Sequence, residues 1–282
     1  MVAMFWSGTV IAIRVGSQTF GPFWGATLRY ATAFVGFLPL VIRKGPSFFR
    51  MSKREWFQVT LLGITGVFAY NYLSFRGLKT VQASHAALIF AVNPILVMVT
   101  SSWMHGDRIT GRRLLGALLS LTGVAIVISR GRLGQLFTGF EAGDLFILCA
   151  TFSWMLYTLI GRTVLHTITP LQASFWASVI GLGMLSVMAV GEPWPATIPW
   201  QAILSMLYLG LIGTVVGFVW FYDGVQKLGA TRATLFNNLI PVFTLVLSVF
   251  VLQEKVSGYT YIGAGLVTAG VLLAQLPRRS SI

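Results

Sequence analysis

Two adjacent amides and a proline interrupt an apolar stretch that reads NNLIPVF near the C-terminal end of the chain. Asn237 and Asn238 lie four and three residues before Pro241, and Asn93 directly precedes Pro94. A proline removes a backbone hydrogen bond and kinks a helix, while amide side chains both donate and accept hydrogen bonds. The pattern predicts two bent helices whose amides line a polar cavity. The alternative is that the amides join neighbouring helices or satisfy freed backbone carbonyls.

Two ionisable residues, His85 and Arg29, also lie inside apolar stretches. His85 precedes Asn93 by eight residues, which is a rotation of about 80° on a helix, so both side chains are expected to border one cavity. Histidine titrates near neutral pH, and the guanidinium of Arg29 suits a substrate carboxylate. The alternatives are a histidine at the water interface and an arginine that reaches the interface or holds a carbonyl.

Aromatic residues form a third candidate set. Trp6 and Trp154 occupy matching places in the two halves of the chain, and Tyr157 follows Trp154 at helical spacing. Such rings bind a planar apolar group by stacking and a cation by cation–π contact, but tryptophan and tyrosine also concentrate where membrane helices meet the lipid headgroups. Tyr70 and Asn71 are predicted to contact substrate as well. Further candidates are Tyr72, Tyr208, Trp220 and Tyr222.

Composition indicates the solvent that surrounds these residues. Of 282 residues 56% are hydrophobic and 10% are charged, with a mean hydropathy of +0.80, whereas soluble domains carry about 25% charged residues. A soluble fold is therefore excluded. The net charge of +13 comes from short clusters between apolar stretches, which is typical of loops between membrane helices rather than of nucleic-acid binding. With Cys149 as the one cysteine and no metal or catalytic motif, we expect no cofactor, no metal and no enzyme.

The chain is predicted to be an all-α integral membrane protein with ten transmembrane helices. Each apolar stretch approaches the length of about 20 residues that a spanning helix needs, and glycine, proline and charged residues mark the breaks between them. The predicted spans are 2–14, 21–42, 56–75, 82–104, 110–129, 142–161, 169–190, 200–222, 231–252 and 258–276.

Charge predicts the orientation in the membrane. Of the 20 Lys and Arg residues, thirteen fall in loops on the side of both termini, six fall in the opposite loops, and Arg29 lies within a span. Positively charged loops remain in the cytoplasm, so both termini are expected there. The first span is short, so either this helix is tilted or broken, or the natural chain begins upstream of Met1.

An internal repeat organises these spans. Residues 77–124 align without a gap on 224–271 at an offset of 147, with 13 of 48 positions identical, including Pro94 with Pro241. The first parts match at an offset of 148, where Trp6 aligns with Trp154. The chain therefore divides into a first five-helix repeat, 1–133, and a second, 134–282. Because five crossings are odd, the second repeat must be inverted, which is a recurrent transporter architecture with a central substrate cavity.

Two segments of the chain are similar to a known family: FWSGTVIAIRVG and YLGLIGTVVGFVWFYDGVQKLGATRATLFNNLIPVF. They resemble the EamA family of the drug/metabolite transporter superfamily. Within it the chain looks most like the YddG-type exporters of aromatic amino acids. The resemblance implies ten helices in inverted halves, cytoplasmic termini, a central substrate cavity and a place in the bacterial inner membrane.

The leading hypothesis is a transporter that exports amino acids, aromatic or neutral, or related amphipathic metabolites by alternating access. One alternative keeps the architecture but changes the cargo to a nucleotide-sugar, nucleoside or cationic drug. A second is a membrane enzyme acting on lipid, and a third is a receptor or structural membrane protein. The expected partners are the bilayer and a small-molecule substrate, with a monomer favoured over a dimer. No acidic residue lies at the middle of a span, which favours uncoupled transport over a proton carried by His85.

Overall fold

A computed structural model describes residues 2–105, 111–129, 131, 141–228 and 240–275, and no strand occurs in these ranges. The helices of the described residues are numbered in chain order as follows: α1 Val2–Gly16, α2 Pro22–Ile42, α3 in the continuous pieces Lys53–Leu62, Gly63–Ala69 and Tyr70–Leu78, α4 in the pieces Ala83–Phe90 and Asn93–His105, α5 Gly111–Ile128, α6 Ala142–Val164, α7 Pro170–Ala189, α8 in the continuous pieces Trp200–Leu207, Tyr208–Val216 and Gly217–Leu228, α9 Ile240–Leu252, and α10 Gly258–Gln275.

Within the described ranges, five helical stretches are long and apolar enough, by length and composition, to cross a membrane. They are Pro22–Ile42, Ala83–Thr100, Ala142–Val164, Pro170–Ala189 and Trp200–Gly224. Shorter apolar helices occur at Val2–Gly16, Leu114–Val127 and Ile240–Leu252. In a bilayer the helix is the form that lets an apolar segment satisfy its own backbone groups, so these sequences have little alternative structure available. The all-helical membrane class is thus confirmed, whereas ten crossings stay a prediction.

Polar side chains fix where several helices begin. The hydroxyl of Ser52 accepts a hydrogen bond from the backbone N–H of Glu55, whose carboxylate accepts one from the N–H of Ser52 at 2.7 Å. The backbone N–H of Ser52 also lowers the pKa of the Glu55 carboxyl below its usual value. Thr169 and Gln172 make the same reciprocal pair at the start of α7. Such caps occupy backbone donors that the first helical turn leaves free.

α3 and α8 each contain a π-helical stretch, Gly63–Ala69 and Tyr208–Val216. These stretches overlap when the chain is shifted by 147 residues. Each brings a glycine against a neighbouring backbone: a Cβ at Gly63 would lie 3.1 Å from the carbonyl oxygen of Ala177, and one at Gly210 would lie 2.7 Å from that of Arg29. Glycine permits this close approach because it carries no side chain. Both contacts involve positions that the repeat makes equivalent.

α5 and α10 pack on one another through matched glycines. A Cβ at Gly123 would lie 2.7 Å from the carbonyl oxygen of Gly263, and one at Gly270 would lie 2.5 Å from that of Gly116. Residue number therefore rises along α5 as it falls along α10, so the two helices are antiparallel. At the repeat offset of 147, Gly123 is equivalent to Gly270 and Gly116 to Gly263, so the two contacts are equivalent to each other.

α4 is interrupted at Ala91 and Val92, just before Asn93 and Pro94. Proline is tolerated in the first turn of a helix, where its missing N–H has no intrahelical partner, and here it restarts the helix after the break. The structure thus interrupts this span next to Pro94, while the bend itself stays a prediction. Pro241 is the second described residue of α9, and since residues 229–239 lie outside the described ranges, its kink stays a prediction.

Candidate substrate site

Five rings from four helices form a cluster with Trp154 at its centre. Its ring centroid lies 4.9 Å from Tyr70 of α3, 4.9 Å from Tyr157 of α6, 5.6 Å from Phe218 of α8, and 5.7 Å from Trp6 of α1. We call these five residues the aromatic cluster. The repeat placed Trp6 and Trp154 at matching depths, and the structure brings them into edge-to-face contact, an arrangement that aromatic rings favour.

The indole of Trp6 is held from inside the protein. Its Nε1–H donates to the carbonyl oxygen of Gly213 at 3.1 Å, and its side chain is 7% exposed. Gly213 belongs to the π-helical stretch of α8, where the wide turn alters backbone hydrogen bonding. A lipid-interface tryptophan would present this N–H to headgroups or water, so that alternative does not fit Trp6.

Tyr222 extends the aromatic cluster along α8. Its ring stacks on Tyr157 with a centroid distance of 5.9 Å. A Cβ at Gly161 would lie 2.8 Å from the Tyr222 hydroxyl, so this glycine makes room for the ring. The other three candidates lie elsewhere: Tyr72 stacks on Phe23, Tyr208 donates to the carbonyl of Phe5, and Trp220 lies on Phe5.

Arg29 is 2% exposed and lies within the helix bundle. Its Nε donates to Thr214 Oγ1 at 3.0 Å and its Nη1 donates to Asn71 Oδ1 at 2.9 Å. No carboxylate among the described residues lies within 4 Å of it, so neutral dipoles surround a full positive charge. Buried arginines are normally paired with an anion. The contacts exclude the alternative that Arg29 reaches the membrane surface, and their acceptors are side-chain oxygens rather than backbone carbonyls.

Asn71 positions the Arg29 guanidinium. Its Nδ2 donates to the carbonyls of Val67 at 2.7 Å and Gly66 at 3.2 Å, and to the Tyr30 hydroxyl at 3.1 Å. Asn71 therefore satisfies carbonyls of the π-helical stretch while its oxygen faces Arg29. Direct contact between Asn71 and a substrate stays a prediction, since its donors are already bonded within the protein.

The Arg29 contacts and the aromatic cluster occupy the same turns of two helices. Asn71 follows Tyr70 in α3, and Thr214 lies one turn before Phe218 in α8. The partners of a charged donor and members of the aromatic cluster therefore come from the same stretches of α3 and α8. This combination suits a molecule with an anionic end and a planar apolar end.

His85 lies in the first turn of α4 and contacts α6. Its Nε2 is 3.5 Å from Oδ1 of Asp144, and the side chains are 16% and 3% exposed. The other oxygen of Asp144 accepts from the backbone N–H of Glu141 at 3.0 Å. Asp144 lies near the end of a predicted span, and the sequence carried no sign of its pairing with a histidine 59 residues away.

The four remaining candidates are only partly described. Asn93 begins the second piece of α4, and its Oδ1 is buried without a hydrogen-bond partner among the described residues. Pro94 follows it. Asn237 and Asn238 lie outside the described residues, so the cavity-lining role of these amides stays a prediction.

Sequence reasoning missed three residues that help to build the site: Thr214, Phe218 and Asp144. Phe218 carried a signal, because it aligns with Asn71 at the repeat offset of 147. Thr214 aligns with Val67, so only the coordinates reveal its bond to Arg29. In the described parts of the chain, no group of three or more His, Cys, Asp or Glu side chains is placed to hold a metal ion.

Comparison with known proteins places the chain in a group of transporters. An uncharacterized transporter YyaM of Bacillus subtilis is 33% identical over 221 residues, covering 76% of this chain and 71% of that protein. A probable terminal-alkyne amino-acid exporter of Streptantibioticus cattleyicolor is 28% identical, covering 97% and 90% of the two chains. A probable amino-acid metabolite efflux pump of Escherichia coli is 24% identical, covering 97% and 92%.

A crystal structure shares the fold with a TM-score of 0.68 at 20% identity, covering 97% of this chain and 93% of the other. The sequence model of the EamA-like transporter family matches residues 1–129 and 141–276. The relatives named above are transporters, exporters and pumps rather than enzymes. The chain therefore belongs to the EamA-like transporter family and is a multi-pass membrane transporter, as its sequence motifs indicated.

Proposed function

We propose that this transporter exports amino acids, aromatic or neutral, or related small metabolites that carry a carboxylate and an apolar group. The observation that carries the proposal is the buried Arg29 beside the aromatic cluster. The guanidinium has three N–H donors left after its bonds to Thr214 and Asn71, and it is well suited to a carboxylate. The rings of Trp154 and its neighbours suit the apolar end of the same molecule.

The names of two relatives support the substrate class. One is described as a probable amino-acid exporter and the other as a probable amino-acid metabolite efflux pump. Phosphorylated cargo such as a nucleotide-sugar would call for several bases. Among the described residues, Arg29 is the one buried lysine or arginine, which favours a single carboxylate.

The mechanism we propose is alternating access between inverted halves, 1–133 and 134–282. Three observations support it. The antiparallel contact of α5 with α10 and the exchanged glycine contacts of α3 and α8 agree with a twofold relation, and the family match falls in two segments. In such a transporter the two halves have related folds in two different conformations. When the halves exchange these conformations, the central site opens to the other side of the membrane.

The orientation and location belong to the same proposal. Cytoplasmic termini follow from the thirteen positive residues on that side against six on the other. The ends of α1 and α3 then lie together on the external side, where Arg14 donates to the carbonyls of Leu78 and Lys79 at 2.7 and 2.8 Å. The bacterial relatives favour the inner membrane.

A flux assay with the purified chain in liposomes tests the proposal. Labelled phenylalanine, leucine and putrescine, an amine without a carboxylate, are compared against protein-free vesicles. We expect protein-dependent flux of phenylalanine and leucine but not of putrescine. Flux of putrescine alone, or no flux of either amino acid by protein whose fold is intact, would overturn the substrate assignment.

A further inference from the structure

The first piece of α4, Ala83–Phe90, is held from the second half of the chain by two carboxylates. We call this piece the outer half of α4. Glu254, which follows α9, accepts hydrogen bonds from the N–H of Ala83 at 2.8 Å, from the N–H of Ser84 at 3.3 Å and from the Ser84 hydroxyl at 2.9 Å. A carboxylate at a helix N-terminus is stabilised by the free N–H groups and the helix dipole.

Asp144 is the second carboxylate. It lies at the start of α6, where its Oδ1 is 3.5 Å from Nε2 of His85. His85 belongs to the first half and Asp144 to the second, so the pair crosses the seam between them. Asp144 is 3% exposed, and a carboxylate in such a place needs a positive partner nearby.

The outer half of α4 is also separated from the rest of its helix. The helix stops at Phe90, and the next piece starts at Asn93. Between the two pieces the regular α-helical pattern gives way to a tighter turn, in which the N–H of Val92 donates to the carbonyl of Ile89 at 3.1 Å. A change of helical form of this kind is a place where the outer half can tilt against the inner piece. The contacts with Glu254 and Asp144 therefore add to the apolar burial of Ala86, Leu88 and Ile89 in holding this short segment in place.

Other charged groups surround the pair on the same end of the molecule. From α1, Arg14 interacts electrostatically with Glu254, and Arg76 of α3 lies on the ring of Phe146 in α6. The remaining titratable or charged described residues at this end of the packed elements are Lys79 after α3, Glu141 before α6, Lys255 after α9, and Tyr259 and Tyr261 of α10.

We propose that His85 and Asp144 form a proton-binding site that holds the outer half of α4 closed on the external side. When the imidazole binds a proton, an imidazolium faces the carboxylate across the seam. When the proton leaves to water, a neutral imidazole faces a buried carboxylate, which then gains more from hydration than from its partner. The external position rests on the proposed orientation of the transporter.

Proton linkage gives the sign of the effect. The closed arrangement binds the proton more tightly than the open one, because only the closed arrangement places the carboxylate beside the imidazole. Closure is therefore favoured at low pH and is lost as the pH rises. One linked proton changes the opening equilibrium by at most about tenfold per pH unit. The range between about pH 5 and 8, where histidine titrates, is the one to examine.

Cysteine labelling measures this opening without a transported substrate. Ala87 is fully buried in the outer half of α4, and Cys149, the single native cysteine, is exposed. Ala87→Cys is introduced together with Cys149→Ser, and the full chain is reconstituted in liposomes. A membrane-impermeant maleimide is added outside at each pH, and its rate is divided by the rate on denatured protein, which corrects for thiol ionisation.

We expect the corrected rate to rise about tenfold or more between pH 5.5 and 8 in this background. His85→Gln and Asp144→Asn should each abolish the slope. The first variant has no imidazole to bind the proton, and the second has no carboxylate to stabilise the imidazolium. His166→Gln is the matched control, because His166 is exposed in the α6–α7 connection, and it should keep the full slope.

Two results would overturn the proton site: a flat profile before either substitution, or an unchanged slope in His85→Gln. Retention of the slope by Asp144→Asn alone would remove Asp144 and overturn the pair. Because no cargo is involved, absence of phenylalanine flux together with the expected labelling profile would contradict the proposed function and leave the proton site standing. Phenylalanine flux together with a labelling rate that does not change with pH would support the proposed function and contradict the proton site.

Discussion

The π-helical stretches of α3 and α8 share a backbone form but present different side chains. Gly63 and Gly210 are equivalent, and each contacts the backbone of a helix in the other half. Near these glycines α3 carries Val67 and Asn71, whereas α8 carries Thr214 and Phe218 at the same two positions of the repeat. The packing glycines are the same in both stretches, whereas the residues one and two turns further along differ.

This difference bears on the kind of molecule the site suits. Arg29 has Ala177 as its equivalent in the second repeat, so the buried positive charge occurs on one side of the junction. The aromatic cluster takes Trp154 and Tyr157 from α6 and only Trp6 from α1. A frame with twofold contacts thus carries a polar end and an apolar end, which matches an amphipathic cargo held in one orientation.

Enlarging Gly270, a glycine of α10 that lies against the backbone of α5, should have the largest effect. A Cβ at Gly270 would lie 2.5 Å from both the oxygen of Gly116 and the backbone nitrogen of Ser120. Backbone atoms cannot move aside as a side chain does, so Gly270→Val should separate α5 from α10 at a cost of about 3 kcal/mol or more. We expect loss of the folded, monodisperse protein on size-exclusion chromatography, or a large drop in melting temperature.

Gly265→Val is the matched control on the same helix, because a Cβ there meets nothing within 4 Å. It should behave as the parent protein does. Equal stability of the two valine variants would contradict the backbone contact between α5 and α10, which is one of the paired contacts that support a twofold relation.

Removing the buried charge should have the next largest effect. Arg29→Gln is expected to raise the Kd for phenylalanine about 10- to 100-fold, because hydrogen bonds to charged groups contribute about 1.5–3 kcal/mol. Arg29→Lys should recover part of the loss, since lysine keeps the charge without the planar fork. Binding to the purified protein is measured by isothermal titration calorimetry, and folding is checked by melting temperature.

Phenylalaninamide, which lacks the carboxylate, sharpens this test. The parent protein should bind it more weakly than phenylalanine, and Arg29→Gln should remove that preference. A preference that survives in Arg29→Gln would show that another group recognises the carboxylate.

Loss of the central ring should have a smaller effect. Trp154→Leu removes aromatic contacts that contribute about 0.5–1.5 kcal/mol each, so the Kd for phenylalanine should rise about 2- to 13-fold while that for alanine changes less. Trp220→Leu is the matched control, since Trp220 is 47% exposed on α8. Equal changes for the two ligands would argue that Trp154 acts only through stability.

Thr214→Val should have the smallest effect, and it makes α8 match α3 at this position. Valine keeps the shape and removes the hydroxyl that accepts from Arg29 at 3.0 Å. We expect a roughly threefold to tenfold rise in the Kd for phenylalanine, which is less than a bond to a charged group contributes in full, because Asn71 still holds the guanidinium. Thr214→Ser retains the hydroxyl and should restore binding, and a Kd for the valine variant equal to that of the parent would remove Thr214 from the site.

Much of the fold follows from the sequence because a membrane limits the choice of structure. The span predicted at 142–161 is α6, Ala142–Val164, and Pro94 marked the interruption of α4. Boundary errors of a few residues arise where helices extend into the loops, as α3 does on both sides of 56–75.

The site was less predictable because it depends on how helices rotate against one another. Arg29 was recognised as a buried base, but its partners Asn71 and Thr214 come from helices 42 and 185 residues away. The pairing of His85 with Asp144 likewise depends on the facing of α4 and α6. Trp6 and Trp154 could be placed at equal depth from the repeat, whereas their contact required the structure.

The inversion of the two halves is the central claim, and sided labelling tests it most directly. Lys79 after α3 and Lys227 at the end of α8 are exposed and close to equivalent in the repeat. Each is changed to cysteine in the Cys149→Ser background, and intact cells are treated with a membrane-impermeant maleimide. We predict that Lys79→Cys is labelled from outside and that Lys227→Cys is labelled only after the membrane is permeabilised. Labelling of both from the same side would contradict the account.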